Sequence, residues 1–251
     1  MSTTIAGSRT VYARLIGALF LAGFLCYGIG FAIVSSVVGG RTLLSTVAAH
    51  PTLLTLGAFL MLLNSVVDVG KGVLFFPILE NHGRRTALVY LATMIVEVVL
   101  LAVGVLCILL LVPLARQTVG TGQANADWAG GLGALAVQGN AMSYQVAEML
   151  LGLGCIFLCS LLFRARLVPR LLAMWGAIGY AILMTGAVAE IFGIHIGLVF
   201  SIPGGLFELT LGVWLIVRGF RPPAYGDRVE TVRTVDRSPS FVHAVAEGET
   251  R

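Results

Sequence analysis

The sequence predicts an all-α integral membrane protein with six transmembrane helices and with both the N-terminus and the C-terminus in the cytoplasm. Composition is the first observation that predicts this class. Of the 251 residues, 58% are hydrophobic and only 11% are charged, whereas an ordinary soluble domain is about 45–50% apolar and about 25% charged. The length of the apolar stretches and the placement of the arginines are the second and third observations.

Six apolar stretches have the roughly 20 residues that a helix needs to cross a bilayer. The predicted spans are residues 15–38, 52–79, 87–112, 143–163, 171–192 and 196–217. They are apolar all round, without the alternation of an outer-membrane β-strand. The first is longer than the apolar region of a signal peptide, which has about 7–15 residues. We therefore expect an uncleaved first span after a short cytoplasmic segment, residues 1–14.

The arginines predict the orientation of these spans. If the N-terminus is cytoplasmic, thirteen arginines fall on the cytoplasmic side and only Arg41 and Arg116 fall outside. Cytoplasmic loops of membrane proteins carry such an excess of basic residues. The stretch from Pro113 to Met142 is predicted to be a long outer connection rich in glycine and alanine. The tail, residues 218–251, has mixed charge and few large apolar residues, so it is predicted to be disordered.

Several chemistries find no support in the sequence. The four cysteines, Cys26, Cys107, Cys155 and Cys159, all lie inside apolar runs and are interpreted as packing residues. No histidine lies in the middle of a span, and no Walker, His-Glu-x-x-His or Gly-x-Ser-x-Gly motif occurs. We therefore predict no cofactor, no metal site and no nucleic-acid partner. The lipid bilayer is the one partner predicted, and no ligand or oligomeric state is assigned.

Polar residues inside the apolar spans are the main candidates for function. Each charged side chain at the centre of a bilayer costs about 2.5–3.5 kcal/mol on insertion scales. Asp68 and Lys71 are three residues apart, and Asn64 is one turn from Asp68, so the three share one face of a helix. With a rise of 1.5 Å per residue, Asp68, Glu97 and Glu208 lie ~14–16 Å from the cytoplasmic ends of their spans. These five residues are predicted to form a polar intramembrane site.

Two further glutamates and one helix break complete the candidates. Glu148 and Glu190 are predicted to lie nearer the outer surface, as secondary polar positions. In the sixth span, Pro203, Gly204 and Gly205 come just before Glu208 and predict a kinked or broken helix. Broken helices beside buried polar groups form the binding sites of many transporters.

Three interpretations of this polar group stay open. It can bind or pass a small solute, a cation or protons through the bundle. It can instead be interhelical glue in a packing or partner-binding protein without catalytic activity. The third interpretation is a membrane-embedded enzyme that uses paired carboxylates.

Three segments resemble a known family. They are the loop and helix LLFRARLVPRLLAMWGAIGY (161–180), the segment LFELTLGVWLIVRGF (206–220) and the connection LFFPILENHGRRTALVY (74–90). Together they resemble the bacterial multi-pass membrane family catalogued as domain of unknown function 4386, over roughly residues 11–220. The resemblance implies a multi-pass membrane fold and no activity. It also implies that Glu97 and Glu208 fall where that family tends to carry a glutamate.

Overall fold

In a computed structural model, residues 2–40, 42–118, 123–195 and 197–221 are described, with side chains for all of them except 2–10, 123–126 and 197. All regular elements in these ranges are helical. They are α1 (Ser2–Val38), α2 (Leu43–Ala49), α3 (Pro51–Leu109), α4 (Leu111–Thr118), α5 (Gln123–Arg164), α6 (Arg170–Ile191), a 3-10 helix (Gly197–Ser201) and α7 (Ile202–Val217). The chain divides into two units, Met1–Phe220 and Arg221–Arg251. Residues 222–251 of the predicted tail lie outside the described residues.

The all-α prediction is confirmed for the described residues. Five helical stretches are long and apolar enough to cross a membrane: Val11–Val38, Pro51–Thr118, Asp127–Arg164, Arg170–Ile191 and Leu198–Val217. Large apolar side chains cover much of their outer surface. Such a surface suits hydrocarbon, where helices satisfy their backbone hydrogen bonds internally.

Helix α3 reverses direction in its middle. It has 59 residues, which would extend ~88 Å if straight. Its backbone leaves the helical conformation at Gly83 (φ 174°, ψ 83°). The rings of Phe75 and Tyr90 then pack edge to face with centroids 5.7 Å apart, although fifteen residues of straight helix would separate them by ~22 Å. Helix α3 therefore consists of two antiparallel arms, residues 51–82 and 84–109.

A layer of buried polar side chains lies between two apolar cores of the bundle. One core, at the Gly83 end of the bundle, includes Phe20, Phe75, Leu79, Tyr90, Phe207 and Leu211. The other core includes Val34, Leu54, Ala58, Met61, Val105 and Ile108. Between these cores, the first arm buries Asn64, Asp68 and Lys71, and the second arm buries Glu97. The cores thus hold the polar residues at one depth.

Close crossings of glycine pairs bring α7 against its neighbours. A Cβ atom at Gly17 would lie 2.5 Å from the carbonyl oxygen of Gly212, and one at Gly179 would lie 3.1 Å from the backbone nitrogen of Gly204. Small residues let membrane helices approach until their backbones touch. Helix α7 is therefore fixed against both α1 and α6.

The connection predicted at Pro113–Met142 is mostly helical instead. Helix α5 begins at Gln123, twenty residues before the predicted span 143–163. A Cβ atom at Gly133 would lie 3.0 Å from the side chain of Leu43, so this part of α5 packs against α2. Tertiary packing here overrides the low helix propensity of a glycine-rich sequence.

The helix break predicted at Pro203, Gly204 and Gly205 corresponds to the start of α7, where a 3-10 helix is followed by an α-helix. The change from 3-10 to α-helix falls at Ser201–Ile202, and the three residues belong to the first turn of α7. Proline is well tolerated in a first turn, where its missing N–H would have no intrahelical acceptor. Pro203 therefore starts α7 and does not interrupt it.

Candidate polar site inside the helical bundle

A cavity of about 420 Å³ lies in the polar layer. Helix α1, both arms of α3, α5, α6, the 3-10 helix and α7 all contribute to its wall. The side chains with oxygen or nitrogen that line it are those of Tyr27, Asn64, Asp68, Lys71, Tyr90, Glu97, Tyr144, Glu148, Tyr180, Ser201 and Glu208. The structure therefore brings the five residues of the predicted site to one cavity, together with Glu148.

One side of the cavity carries an internally paired group. The Nζ atom of Lys71 lies 2.5 Å from Oδ1 of Asp68, and Nδ2 of Asn64 donates a hydrogen bond of 2.6 Å to Oδ2 of Asp68. Lys71 also lies over the ring of Phe20, with Nζ 4.7 Å from its centroid. Both oxygens of the Asp68 carboxylate thus have partners. We call Asn64, Asp68 and Lys71 the paired side.

Glu208 has a partner from another helix. The hydroxyl of Tyr180 on α6 donates a hydrogen bond of 2.7 Å to Oε1 of Glu208 on α7. Sequence reasoning missed Tyr180 as a site residue. The signal was available, since a tyrosine in an apolar span needs a partner for its hydroxyl.

Another part of the cavity wall carries the carboxyl groups of Glu97 and Glu148, which form no salt bridge with any described residue. Glu97 on the second arm of α3 is 4% exposed and Glu148 on α5 is 9% exposed. Within the described part of the chain, Oε2 of Glu97 is buried without a hydrogen-bond partner. Such an atom normally costs about 1–3 kcal/mol. The carboxyl group of Glu148 has the hydroxyl of Tyr144 as a hydrogen-bond partner, so of the two it is Glu97 that has a buried oxygen without a partner. We call Glu97 and Glu148, which have no basic partner, the open side.

Glu190 does not join this group. It lies near the C-terminal end of α6, where its Oε2 is 3.1 Å from Nδ1 of His195, and it does not line the cavity. Of the residues predicted to break the last span, Gly205 lines the cavity, whereas Gly204 packs beside Gly179.

Aromatic rings flank the cavity along the bundle. Toward the Gly83 end, Phe75 packs edge to face against Phe20, Tyr90 and Phe220, with centroids 5.7–6.2 Å apart. Toward the opposite end, the rings of Tyr27 and Tyr144 stack at 5.8 Å. The cluster around Phe75 separates the polar layer from the Gly83 end.

The cavity wall is rich in carboxyl groups. Four carboxyl groups, those of Asp68, Glu97, Glu148 and Glu208, face one lysine. Electrostatic interactions are stronger in a low-dielectric interior than in water, so this wall favours a cation or a group with several hydrogen-bond donors. Among the described residues, no three His, Cys, Asp or Glu side chains are placed to hold a metal ion.

Comparison with known proteins identifies the family. The family model described as Domain of unknown function (DUF4386) matches residues 15–219. The chain belongs to this family. The match confirms the resemblance carried by the segments at 74–90, 161–180 and 206–220. Neither a curated protein nor a solved structure matches the chain.

Proposed function

We propose that this protein is a bacterial inner-membrane protein that binds a small cation or protonated solute in its bundle cavity and passes it through the bilayer. The observation that carries the proposal is Glu97, a residue that lines a cavity of about 420 Å³ and whose buried carboxyl oxygen Oε2 has no hydrogen-bond partner among the described residues. A ligand that donates a hydrogen bond would compensate the cost of burying this atom.

We propose six crossings with both termini in the cytoplasm. Counting the two arms of α3 separately gives six helical crossings, and the thirteen-to-two distribution of arginines orients them. Reporter fusions after Arg85, Arg116, Arg166 and Arg221 are expected to lie inside, outside, inside and inside. A fusion after Arg221 that lies outside would require an odd number of crossings.

A packing protein is the competing proposal. The paired side supports it, because Asp68, Lys71 and Asn64 satisfy one another within the first arm of α3 and Lys71 also packs over the ring of Phe20 on α1. A cluster that serves only packing should be dry and fully paired. The cavity and the Glu97 oxygen favour binding over packing. No observation favours the third interpretation, an enzyme with paired carboxylates.

Thermal unfolding of the purified protein tests binding. Methylammonium, ethylammonium and tetramethylammonium are added in turn, and a ligand that binds only the folded state raises the melting temperature. We expect ethylammonium to stabilise the wild type and to lose its effect in Glu97→Gln. Glu190→Gln is the matched control, because the same chemical change lies outside the cavity.

The same experiment separates the two proposals. Equal stabilisation of the wild type and of Glu97→Gln would show that the cation binds elsewhere. If no ammonium ion stabilises the wild type and Glu97→Gln lowers the melting temperature, the polar layer serves packing.

A further inference from the structure

The wall of the cavity is not equally buried on all sides. Every lining residue from α3, α5 and α6 is buried or half-buried. The exposed lining residues all belong to α1, the 3-10 helix and α7: Phe24 (38%), Gly28, Leu198 (58%), Ile202 (53%) and Leu206 (50%). The cavity therefore opens on one face, between α1 and the segment 198–206.

This opening lies on the flank of the bundle. Gly28 is ten residues before the last residue of α1, Val38, which places it ~15 Å from that end of the helix. A Cβ atom at Gly28 would have no neighbour within 4 Å among the described residues. At that depth the surroundings of a spanning helix are hydrocarbon about 30 Å thick. We call the gap bounded by these five residues the lateral opening.

The lateral opening and the inner wall differ in chemistry. The side chains around the opening are Phe24, Leu198, Ile202 and Leu206, and all are apolar. The inner wall carries the open side, Glu97 and Glu148, whose carboxyl groups lie outside any salt bridge of the described residues. A hydrated ion would lose its water at such a rim without compensation, whereas an apolar chain would not.

We infer that the ligand of this cavity is an amphiphilic amine that enters sideways from the bilayer. The inference rests on the proposed function and names its substrate class. The ammonium head lies against Glu97 and Glu148, and the alkyl chain leaves through the lateral opening into the hydrocarbon. A volume of about 420 Å³ is in the range of small-ligand sites, roughly 300–1,000 Å³, and suits a head group with the first part of its chain.

Photolabelling in lipid nanodiscs tests lateral entry. The probe is a dodecylammonium that carries a diazirine close to the nitrogen, and the labelled residues are mapped by mass spectrometry. We expect labels on residues of the cavity wall, and we expect excess unlabelled dodecylammonium to suppress them. The matching dodecanol probe has the same chain without the charge, and should label the wall at least about tenfold less, the factor that one charge-assisted hydrogen bond supplies.

Two tryptophan variants on α1 test whether the probe enters through the lateral opening or binds the outer surface of the helix. Gly28→Trp fills the lateral opening, and we expect it to reduce labelling of the wall about fivefold or more. Leu25→Trp is the matched control, since Leu25 is 63% exposed and does not line the cavity, so labelling should not change. Labels confined to outer, lipid-facing residues of the wild type would overturn the inference.

Ethylammonium distinguishes failure of this inference from failure of the proposed function. Its stabilising effect should survive in Gly28→Trp, which also shows that the variant folds, and should disappear in Glu97→Gln. If Gly28→Trp still binds ethylammonium and labels as strongly as the wild type, lateral entry is wrong while the site stands. If neither amine binds the wild type, both proposals fall.

Discussion

The paired side and the open side of the cavity both bury carboxyl groups at similar depth, but they differ in the partners that these groups have. On the paired side, Asp68 has Lys71 and Asn64 as partners, and both of its carboxylate oxygens are used. On the open side, Glu97 and Glu148 take part in no salt bridge of the described residues, and one oxygen of Glu97 is buried without a partner. The difference separates polar residues that satisfy one another within one arm of α3 from Glu97, whose carboxyl group keeps an oxygen for a ligand.

The contrast also predicts where mutations act. A satisfied buried ion pair is costly to break, because removal of one member leaves a charge in a low-dielectric interior. An unsatisfied buried group costs stability already, so its removal loses little. We therefore expect the paired side to dominate stability and the open side to dominate binding.

The largest effect should come from Lys71→Met. This change removes the ion-pair partner of Asp68 and leaves its hydrogen bond with Asn64. We expect it to lower the free energy of unfolding by about 3–5 kcal/mol. The double variant Asp68→Asn with Lys71→Met should lose less, since no unpaired charge remains. Denaturation of the purified protein in detergent measures both. Additive effects of the single changes would show that the two residues do not interact.

Tyr180→Phe should have the next largest effect. It removes the hydroxyl that donates to Glu208, leaves the ring in its contact with Phe207, and should cost about 1–3 kcal/mol. Glu208→Gln keeps an acceptor oxygen for Tyr180, so it should cost less than Tyr180→Phe in the same unfolding assay. If Tyr180→Phe is as stable as the wild type, the hydrogen bond between Tyr180 and Glu208 does not stabilise the fold, and Glu208 resembles the residues of the open side.

Two glycines on α1, Gly23 and Gly28, differ in the space around them. A Cβ atom at Gly23 would lie 2.9 Å from Oδ1 of Asn64 on the paired side, whereas one at Gly28 would meet nothing within 4 Å. Gly23→Ala should destabilise the protein by about 1 kcal/mol or more, because Asn64 is held by its hydrogen bond to Asp68. Gly28→Ala should be neutral or slightly stabilising. The reverse order of melting temperatures would mean that the open region of α1 is packed in the membrane.

The smallest effect on stability is expected for Glu97→Gln. The amide has nearly the same shape as the carboxyl group and no ion pair is lost, so the change in the free energy of unfolding should not exceed about 1 kcal/mol, the central value for single substitutions. The melting temperature without ligand measures this effect. A loss of several kcal/mol would show that Glu97 belongs to a stabilising network.

Local spacing and helical rise were sufficient to predict the paired side. Asp68 and Lys71 meet because residues three apart share a helix face, and Glu97 reaches the same layer because its distance from Gly83 matches that of Asp68. Neither pattern shows whether a buried carboxyl group has a partner. Tyr180 comes from a different helix than Glu208, and that contact depends on the close approach of α6 to α7, which no pattern within either span encodes.

The depth of Glu148 shows where counting along a span fails. The predicted span 143–163 put it near the outer surface. Counted from the other end of α5, at Arg164, it lies ~24 Å along the helix, close to the ~21 Å that separates Glu97 from Gly83. The predicted span began at residue 143, where the apolar stretch begins, whereas the helix itself begins at Gln123. Glu148 therefore lies farther from the start of its helix than the apolar stretch indicated.

Infrared difference spectroscopy can show whether the carboxyl group of Glu97 touches the ligand. Spectra of the protein with and without ethylammonium report carboxyl groups whose surroundings change on binding. We expect a carboxyl difference band in the wild type and in Glu190→Gln that is absent from Glu97→Gln. A difference spectrum that is identical in the wild type and in Glu97→Gln would contradict this expectation.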